Sequence, residues 1–357
     1  MNPVNAPNIP GMLTHHPIKF ILFLVMGCLV LFLFMLDILA GPVSIPLKEI
    51  LNVIFAGDAS NPVWRTIISD FRIPKALTAL LAGAALSVSG LQMQTVFRNP
   101  LAGPYVLGIS SGASLGVAIV VLGFSPLFVQ GSINPLSVWV QIIAAWIGAA
   151  TVMVLIMAVS LRVRDIMTIL ILGVLFGSAA AALVNILQYF SHQSQLKAFM
   201  VWSMGSLGSV TKDQLAVLAV TVIAGLFLAI LSGKMLNVLL LGESYAKSMG
   251  LNLLFSRVVI FISTSILTGS VTAFCGPIGF IGIAVPHLTR MIFKSSDHRL
   301  LIPAVILTGG IVMLLSDILS QISGSDNVLP INSVTALIGI PVVIWIVFRN
   351  LKVAAIK

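Results

Sequence analysis

Charged residues are scarce in this chain: Asp, Glu, Lys and Arg make up 8% of its 357 residues. A soluble domain carries about 25% of these residues, so the chain has too little charge to cover a water-exposed surface. Apolar residues reach 59% and the mean hydropathy is +1.13. These values exclude a cytosolic enzyme, a secreted disulfide scaffold and a disordered protein. They leave a polytopic membrane protein, with room for about ten spans of roughly 20 residues each.

Cysteine is also scarce, and a nucleotide-binding loop is missing. Cys28 and Cys275 lie in or beside apolar runs, so we expect packed thiols rather than a metal site or a disulfide. The one Gly-Lys pair, Gly233-Lys234, is followed by Met235 and lacks the upstream glycine of a phosphate-binding loop. We therefore expect no catalytic residues, no metal and no cofactor on this chain, and driven transport would require a partner subunit.

The apolar runs contain almost no ionisable residues, although a proton- or sodium-coupled transporter keeps such groups near the membrane midplane. Asp317 is the best candidate, and its place in the sequence predicts a water-accessible position near the outer end of its span. The other polar residues cannot relay protons, and interhelical hydrogen bonds are favoured over substrate contacts for them. They are Gln92, Gln94, Gln141, Asn185 and Gln188.

The apolar runs predict an all-α polytopic membrane protein with about ten transmembrane helices. The runs lie at about 20–40, 74–97, 105–123, 137–160, 166–190, 215–233, 255–274, 279–294, 300–319 and 332–349. The first run is too long for the core of a signal peptide, and no convincing cleavage site follows it. We expect it to be retained as the first helix.

The distribution of basic residues predicts the orientation. With the N-terminus in the cytoplasm, 13 of the 19 Lys and Arg residues fall on the inner side, and the two sides carry net charges of +10 and −1. Both termini are therefore predicted to be cytoplasmic. The predicted organisation is a tail at 1–19, a ten-helix transmembrane domain at 20–350 and a tail at 351–357.

Three connections are long: 41–73 and 191–214 on the predicted outer side, and 234–254 on the inner side. Long ordered loops in a compact protein are usually functional. The stretch 47–55 is amphipathic and predicts a helix in the interface. Such a helix covers the outer mouth or takes part in partner docking.

Two segments carry motifs far more specific than composition. The first contains Arg72-Ile-Pro-Lys75, Gly83-Ala-Ala-Leu-Ser-Val-Ser-Gly90, Arg98-Asn-Pro-Leu-Ala-Gly-Pro104 and Leu107-Gly-Ile-Ser-Ser-Gly-Ala-Ser114. The second contains Gly276-Pro-Ile-Gly-Phe-Ile-Gly-Ile-Ala-Val-Pro-His287, Leu288-Thr-Arg290, Asp297-His-Arg299, Leu329-Pro-Ile331 and Gly339-Ile-Pro341. With Leu241-Gly-Glu-Ser-Tyr-Ala-Lys-Ser-Met-Gly-Leu251, they resemble the permease subunits of type II ABC importers for ferric siderophores, haem and cobalamin, the iron-chelate uptake permease family.

This resemblance implies an architecture and a set of partners. It implies ten helices in two pseudo-symmetric halves of five, a second permease copy or homologue, and a multi-pass location in the bacterial inner membrane. It also implies two cytoplasmic ATP-binding subunits, which carry ATP and Mg²⁺, and a periplasmic or lipid-anchored substrate-binding protein. The breaks at Asn99-Pro100 and Gly276-Pro277, about half a chain apart, agree with inverted halves.

The resemblance also implies three functional segments. The loop 234–254 would hold the ATPase-coupling helix, and Arg72 and Lys75 would dock the binding protein. A further basic position expected by resemblance is Gln321 here, which leaves Lys48, Arg65 or Lys197 as docking alternatives. The coupling residues are Gly242, Glu243, Ser244, Tyr245, Ala246, Lys247, Ser248, Met249 and Gly250, and the cytoplasmic gate candidates are Asn99, Leu101, Asp165, Met167 and Thr168.

Each of these assignments has a structural alternative. The segment 242–250 also fits a solvated loop helix. Asn99 also fits a plain helix-breaking turn, and Arg72 and Lys75 also fit interfacial anchors. For His287, a structural hydrogen bond is favoured over a metal or haem contact. The small residues of Gly83–Gly90 are expected to pack within one subunit rather than at a dimer seam.

The predicted function is the permease subunit of an importer for an iron chelate, either a ferric siderophore or haem. A cobalamin importer and a stand-alone secondary transporter are the alternatives, and homodimer or heterodimer stays open. The pathway is predicted along the fifth span and its outer extension, at Asn185, Gln188, Trp202 and Met204, and along the tenth span.

Overall fold

The computed structural model describes residues 16–57, 59–123, 135–163, 165–321 and 328–354. These residues form α-helices joined by short connections, and no strand occurs among them. The predicted tails at 1–19 and 351–357 lie partly outside the described residues. The helices are α1 (His16–Leu39), α2 (Leu47–Ala56), α3 (Pro62–Thr66), α4 (Ile73–Val96), α5 (Ile109–Ala118), α6 (Pro135–Arg162), α7 (Ile166–Phe190), α8 (Gln193–Ser203), α9 (Lys212–Leu231), α10 (Gly233–Leu240), α11 (Glu243–Ser248), α12 (Leu253–Cys275), α13 (Ile281–Phe293), α14 (His298–Gln321) and α15 (Ile331–Ala354).

Seven helical segments are long and apolar enough to cross a membrane: 18–39, 62–96, 138–162, 166–190, 212–231, 253–275 and 298–321. Three shorter apolar helices occupy 109–123, 281–293 and 331–345. Each predicted apolar run coincides with one of these segments. The all-helical fold is thereby confirmed, whereas ten crossings and two halves of five stay predictions. Helix α15 continues to Ala354, into the segment predicted as the second tail.

Helix α4 forms the centre of the core and packs against α9, α12, α13 and α14. Its glycines allow this close approach. A Cβ atom on Gly83 would lie 2.2 Å from the carbonyl oxygen of Gly309, and one on Gly90 would lie 1.8 Å from that of Gly282. Small residues let helix backbones meet in a membrane, where packing holds helices together. The prediction of packing within one subunit is confirmed.

Buried polar side chains link the core helices. Gln92 on α4 donates to Ser263 Oγ at 3.0 Å and accepts from Thr264 Oγ1 at 2.9 Å, both on α12. Gln94 donates to the carbonyl oxygen of Ile283 and accepts from Arg290 Nη1 at 2.5 Å. The predicted interhelical hydrogen bonds are confirmed for these two glutamines.

The break after α12 is covered by protein. Gly276 has a φ of +74°, and a Cβ there would lie 2.3 Å from the carbonyl oxygen of Trp202. The Cys275 carbonyl accepts from the Ser206 N–H at 2.8 Å, and Gly279 N donates to Asn332 Oδ1 at 3.0 Å. Irregular backbone at membrane depth needs such cover, so the segment after α8 and the start of α15 fix the break.

Helix α2 confirms the amphipathic helix predicted at 47–55. Its Ile50 and Val53 are buried, whereas Phe55 is exposed. The prediction for the cysteines is half right. Cys275 is buried, but Cys28 is exposed on α1, so a packed thiol was wrong for Cys28.

Candidate transport sites

Helix α11 lies between two glycines whose backbone conformations favour glycine, with φ values of +115° at Gly242 and +82° at Gly250. Ala246 is the buried residue of this helix. Tyr245 and Met249 are 60% and 59% exposed, and residues four apart share one face of a helix. The predicted short helix between two glycines is therefore confirmed, and it presents an exposed apolar pair.

The buried side of α11 is held by an ion pair. Glu243 Oε1 lies 2.7 Å from Arg257 Nη2 on α12, and Arg257 is buried. The pair lies at a cavity of about 420 Å³, which is also lined by Ser160, Leu161 and Val163 at the end of α6. The coupling candidate Glu243 therefore shares a cavity with the connection that leads into α7.

The Asn99-Pro100 turn is compact and capped by its own side chain. Asn99 Oδ1 accepts from the Leu101 N–H at 2.9 Å, and the Ala102 N–H donates to the Asn99 carbonyl oxygen at 3.0 Å. This geometry is that of an Asx turn. It fits the helix-breaking turn that was the structural alternative for Asn99. Leu101 is exposed. The gate role of Asn99 and Leu101 stays a prediction.

Arg98 connects this turn to α11. It has a φ of +47°, and its guanidinium lies so close to Gly242 that a Cβ there would be 2.7 Å from Nη2. Arg98 Nη2 also donates to the Leu239 carbonyl oxygen at 3.5 Å. The sequence predicted no role for Arg98, although this residue begins the motif Arg98-Asn-Pro-Leu-Ala-Gly-Pro104.

Asp165 caps the N-terminus of α7. Its Oδ2 accepts from the Thr168 hydroxyl at 2.6 Å and from the Thr168 N–H at 2.8 Å, and its Oδ1 accepts from the Met167 N–H at 3.3 Å. The bond from the Thr168 hydroxyl lowers the pKa of Asp165, and backbone donors and the positive charge of Arg257 act in the same direction. The three gate candidates of this segment therefore form one capping unit.

The pathway candidates fall into two groups. Asn185 is exposed and Gln188 is half-buried near the end of α7, whereas Trp202 and Met204 lie at the end of α8. Trp202 is half-buried, with its ring 5.9 Å from that of Phe199. The pathway role of these four residues stays a prediction.

Met204 lies instead beside a docking candidate. A cavity of about 400 Å³ is lined by Met204, Lys75, Asp317, the loop 205–208 and the residues 328–331 before and at the start of α15. Lys75 Nζ lies 2.9 Å from Asp317 Oδ2, and Asp317 is 3% exposed. The water-accessible Asp317 predicted from the sequence was wrong, because the ends of α4 and α14 bury this carboxylate against Lys75.

The ion pair belongs to a buried cluster at the predicted outer ends of α1, α4 and α14. Gln321 Nε2 donates to Asp37 Oδ1 at 3.2 Å and to Asp317 Oδ2 at 3.3 Å. Arg72 is 6% exposed and donates to the carbonyl oxygens of Ile38, Leu39 and Val43. The structure thus places Arg72 inside the chain, whereas the docking alternatives Lys48, Arg65 and Lys197 are exposed. A docking role for Arg72 and Lys75 stays a prediction.

Within the described ranges, no group of three or more His, Cys, Asp and Glu residues is placed to hold a metal ion. His287 is half-buried on α13. His298 belongs to the Asp297-His-Arg299 motif and has two hydrogen-bond partners. Its Nε2 lies 2.8 Å from Thr95 Oγ1, and its Nδ1 lies 2.7 Å from Asn237 Oδ1. It therefore joins α4, α10 and α14 on the predicted cytoplasmic side.

The long apolar helices and their packing define a multi-pass membrane protein. The profile of the FecCD transport family matches residues 29–349. The chain is 34% identical over 312 residues to the hemin transport system permease protein HmuU of Yersinia pestis, covering 87% of this chain and 90% of that protein. It is 35% identical over 331 residues to the vitamin B12 import system permease protein BtuC of Photorhabdus laumondii, covering 91% and 92%.

A solved structure agrees with these relatives. It is described as an inward-facing conformation of a putative metal-chelate type ABC transporter, and it matches with a TM-score of 0.79 and 28% identity over 92% of this chain and 99% of that one. The chain belongs to the FecCD transport family. The resemblance to type II ABC importer permeases is confirmed, and in this family the ATPase resides in partner subunits.

Proposed function

We propose that this chain is the permease subunit of an ATP-driven importer that moves an iron chelate, either a ferric siderophore or haem, across the bacterial inner membrane. The observation that carries the proposal is the placement of α11. The segment 242–249 exposes Tyr245 and Met249, whereas its Gly242 lies against Arg98 and its Glu243 pairs with Arg257. A cytoplasmic ATPase that binds the exposed pair can displace the segments that Arg98 and Arg257 contact.

The inner gate is formed in this proposal by the Asn99–Leu101 turn and the Asp165 capping unit. The Asn99–Leu101 turn directly follows Arg98, and the Asp165 capping unit lies within electrostatic range of Arg257. ATP binding to two partner subunits would move α11, and the two segments would open or close the inner end of the pathway. The outer end would respond through tilting of the packed helices.

The pathway runs between this chain and a second copy or homologue, along α7 and α15. Helix α7 buries only Ile169, Gly173, Gly177, Ala180 and Val184 among its residues, so its other faces are left for lipid and for the second subunit. Asn185 and Gln188 lie towards its outer end, and Met204 lines the cavity beside Lys75. A bulky cargo handed over by a binding protein needs no strong ligands on this path.

The binding protein docks on the outer face through exposed cations. Because Arg72 and Lys75 are engaged inside the chain, the exposed Lys48, Arg65 and Lys197 are the better candidates for meeting its carboxylates. Exposed charges of this type contribute more to the rate of encounter than to affinity.

Cobalamin import is the second candidate, supported by the 35% identity to the vitamin B12 permease. The test is transport into proteoliposomes that contain this chain and its cognate ATPase, with the cognate binding protein added. Haemin, a ferric hydroxamate, a ferric catecholate and cyanocobalamin are offered separately with ATP or a non-hydrolysable analogue. We expect ATP-dependent uptake of one iron chelate.

Uptake of cyanocobalamin alone would replace the iron-chelate assignment with the cobalamin one. Uptake without any ATPase, or with a proton gradient as the sole driver, would overturn the importer proposal itself.

A further inference from the structure

We propose that the chain binds a phosphate group in the cavity between the end of α6, α11 and the start of α12, and that this phosphate belongs to an anionic membrane phospholipid. We name this cavity, of about 420 Å³, the Lys247 cavity. The proposal stands apart from the proposed function, because neither a cargo nor the hydrolysis of ATP enters into it.

A buried hydroxyl lines one wall of the Lys247 cavity. Ser160 is 6% exposed, and its Oγ has no hydrogen-bond partner among the described residues. Other helical serines, such as Ser178 and Ser316, donate to the carbonyl oxygen four residues earlier, whereas Ser160 makes no such bond. A buried hydroxyl without a partner destabilises a fold, and an oxygen atom of a ligand in this cavity would supply the partner.

The charged residues that line the Lys247 cavity are two cations and one carboxylate, which favours an anionic ligand. Glu243 Oε1 lies 2.7 Å from Arg257 Nη2, so these two charges balance each other. Lys247 pairs with no carboxylate in the described part of the chain and adds a positive charge. Lysine binds phosphate as a point charge, and the start of α12, residues 252–254, adds the positive end of a helix dipole.

The depth of the Lys247 cavity matches that of a lipid headgroup. The cavity is lined by the end of one apolar span, 138–162, and by the start of another, 253–275. Polar headgroups flank the hydrocarbon core of a bilayer at the level where such spans end. On the predicted cytoplasmic side, anionic lipids attract Lys and Arg near the membrane surface.

Exposed apolar side chains beside the cavity favour a lipid over a free phosphate ion. Leu161 and Leu254 line the cavity and are exposed. An exposed row continues along α6 from Leu161 through Val154 to Ile147, and residues seven apart share one face of a helix. Acyl chains can pack along this row while the phosphate contacts Ser160 and Lys247, whereas a free ion makes no use of it.

The test measures lipid binding to the purified full chain in detergent by native mass spectrometry. Phosphatidylglycerol, phosphatidylcholine and glycerol 3-phosphate are titrated separately. The test variant is Ser160→Ala combined with Lys247→Gln. The matched control is Ser178→Ala combined with Lys234→Gln, because Ser178 bonds within its own helix and Lys234 is an exposed cation outside the cavity.

We expect phosphatidylglycerol to bind the parental chain at least about fivefold more tightly than phosphatidylcholine, since one cation near the membrane surface contributes roughly this factor. The test variant should lose most of this preference and the control should keep it. Glycerol 3-phosphate, which lacks acyl chains, should bind far more weakly than phosphatidylglycerol.

Three results would overturn the proposal. The first is an unchanged preference for phosphatidylglycerol in the test variant, including the case in which that variant instead loses its cognate ATP-binding subunits. The second is an equal loss in the control. The third is glycerol 3-phosphate binding as tightly as phosphatidylglycerol, which would assign the cavity to free phosphate compounds. If the test variant melts below the parental chain, Lys247→Gln is compared with Lys234→Gln, and equal preferences in that pair overturn the proposal.

Discussion

At the scale of single residues, the charged groups of this chain serve structure more than the sequence indicates. Four charged residues lie in or beside apolar runs: Asp37, Arg72, Lys75 and Asp317. A hydropathy pattern scores each residue separately and does not show which residues pair. The structure pairs Lys75 with Asp317 and joins Gln321 to Asp37, residues 284 positions apart. Such partners depend on the tertiary fold, which explains why the burial of Asp317 was missed.

Arg72 offers a residue-scale prediction that separates structure from docking. Arg72→Gln removes a buried donor to the carbonyl oxygens of Ile38, Leu39 and Val43. Since an unsatisfied buried polar group costs about 1–3 kcal/mol, the melting temperature of the purified chain in detergent should fall. Arg65→Gln, an exposed change in the same segment, should leave it unaltered. Unchanged melting with weaker capture of the binding protein would instead assign Arg72 to docking.

Asp297 gives a prediction for pH. The N–H of Arg299 and the side chain of Asn237 hold the pKa of Asp297 below its ordinary value of 3.8. A lowered folded-state pKa stabilises the fold above the ordinary value, and this contribution is lost as the pH falls through the lower folded value. Asp297→Asn should therefore flatten the acid side of a plot of melting temperature against pH. Asp213→Asn, at an exposed position on α9, serves as the comparison, and an equal effect there would contradict the assignment.

At the scale of helices, apolar periodicity and run length were sufficient for most of the fold. Long runs such as 166–190 became helices with the predicted bounds, and the glycines flanking α11 marked its ends. The contacts of Arg98 and Arg257 were not predicted, because the partners of these guanidinium groups come from other helices and depend on how the helices pack. The same holds for His298, whose contacts come from α4 and α10.

The packing of α4 supports a prediction with a matched control. Gly90→Ala places a Cβ 1.8 Å from the Gly282 carbonyl oxygen, whereas Gly27→Ala on α1 has no heavy atom within 4 Å. Overpacking typically costs about 1–3 kcal/mol, and backbone contact leaves little room for relaxation. Gly90→Ala should reduce the yield and melting temperature of folded protein in detergent, and Gly27→Ala should not. Equal stability of both variants would refute the close approach of α4 and α13.

At the scale of the whole molecule, the helices fall into two groups. One group is packed in the protein core, and the other has most of its surface uncovered by protein. Helices α12, α13 and α14 all pack against α4, whereas α1, α7 and α9 expose much of their surface. The predicted orientation of the chain in the membrane follows from the distribution of Lys and Arg. This predicted orientation is a property of the entire chain, because no single loop determines it.

The orientation is testable by labelling in whole cells. In a Cys28→Ser background, Ser60→Cys on the predicted outer side should react with a membrane-impermeant maleimide, and Ser244→Cys on α11 should react only after the cells are opened. Both positions are exposed, so access through the membrane is the variable. The reverse pattern would invert the predicted topology and remove α11 from the reach of a cytoplasmic ATPase.

Only a narrow stripe of α7 is buried, and this determines which positions of the helix can change during evolution. Its buried positions, Ile169, Gly173, Gly177, Ala180 and Val184, hold the helix against its neighbours. Exchange of one apolar residue for another elsewhere along α7 costs little folding free energy, because changes away from packed contacts usually have small effects. Under the proposed function, such exchanges can reshape the surface that the cargo meets while the five buried positions keep the helix in place.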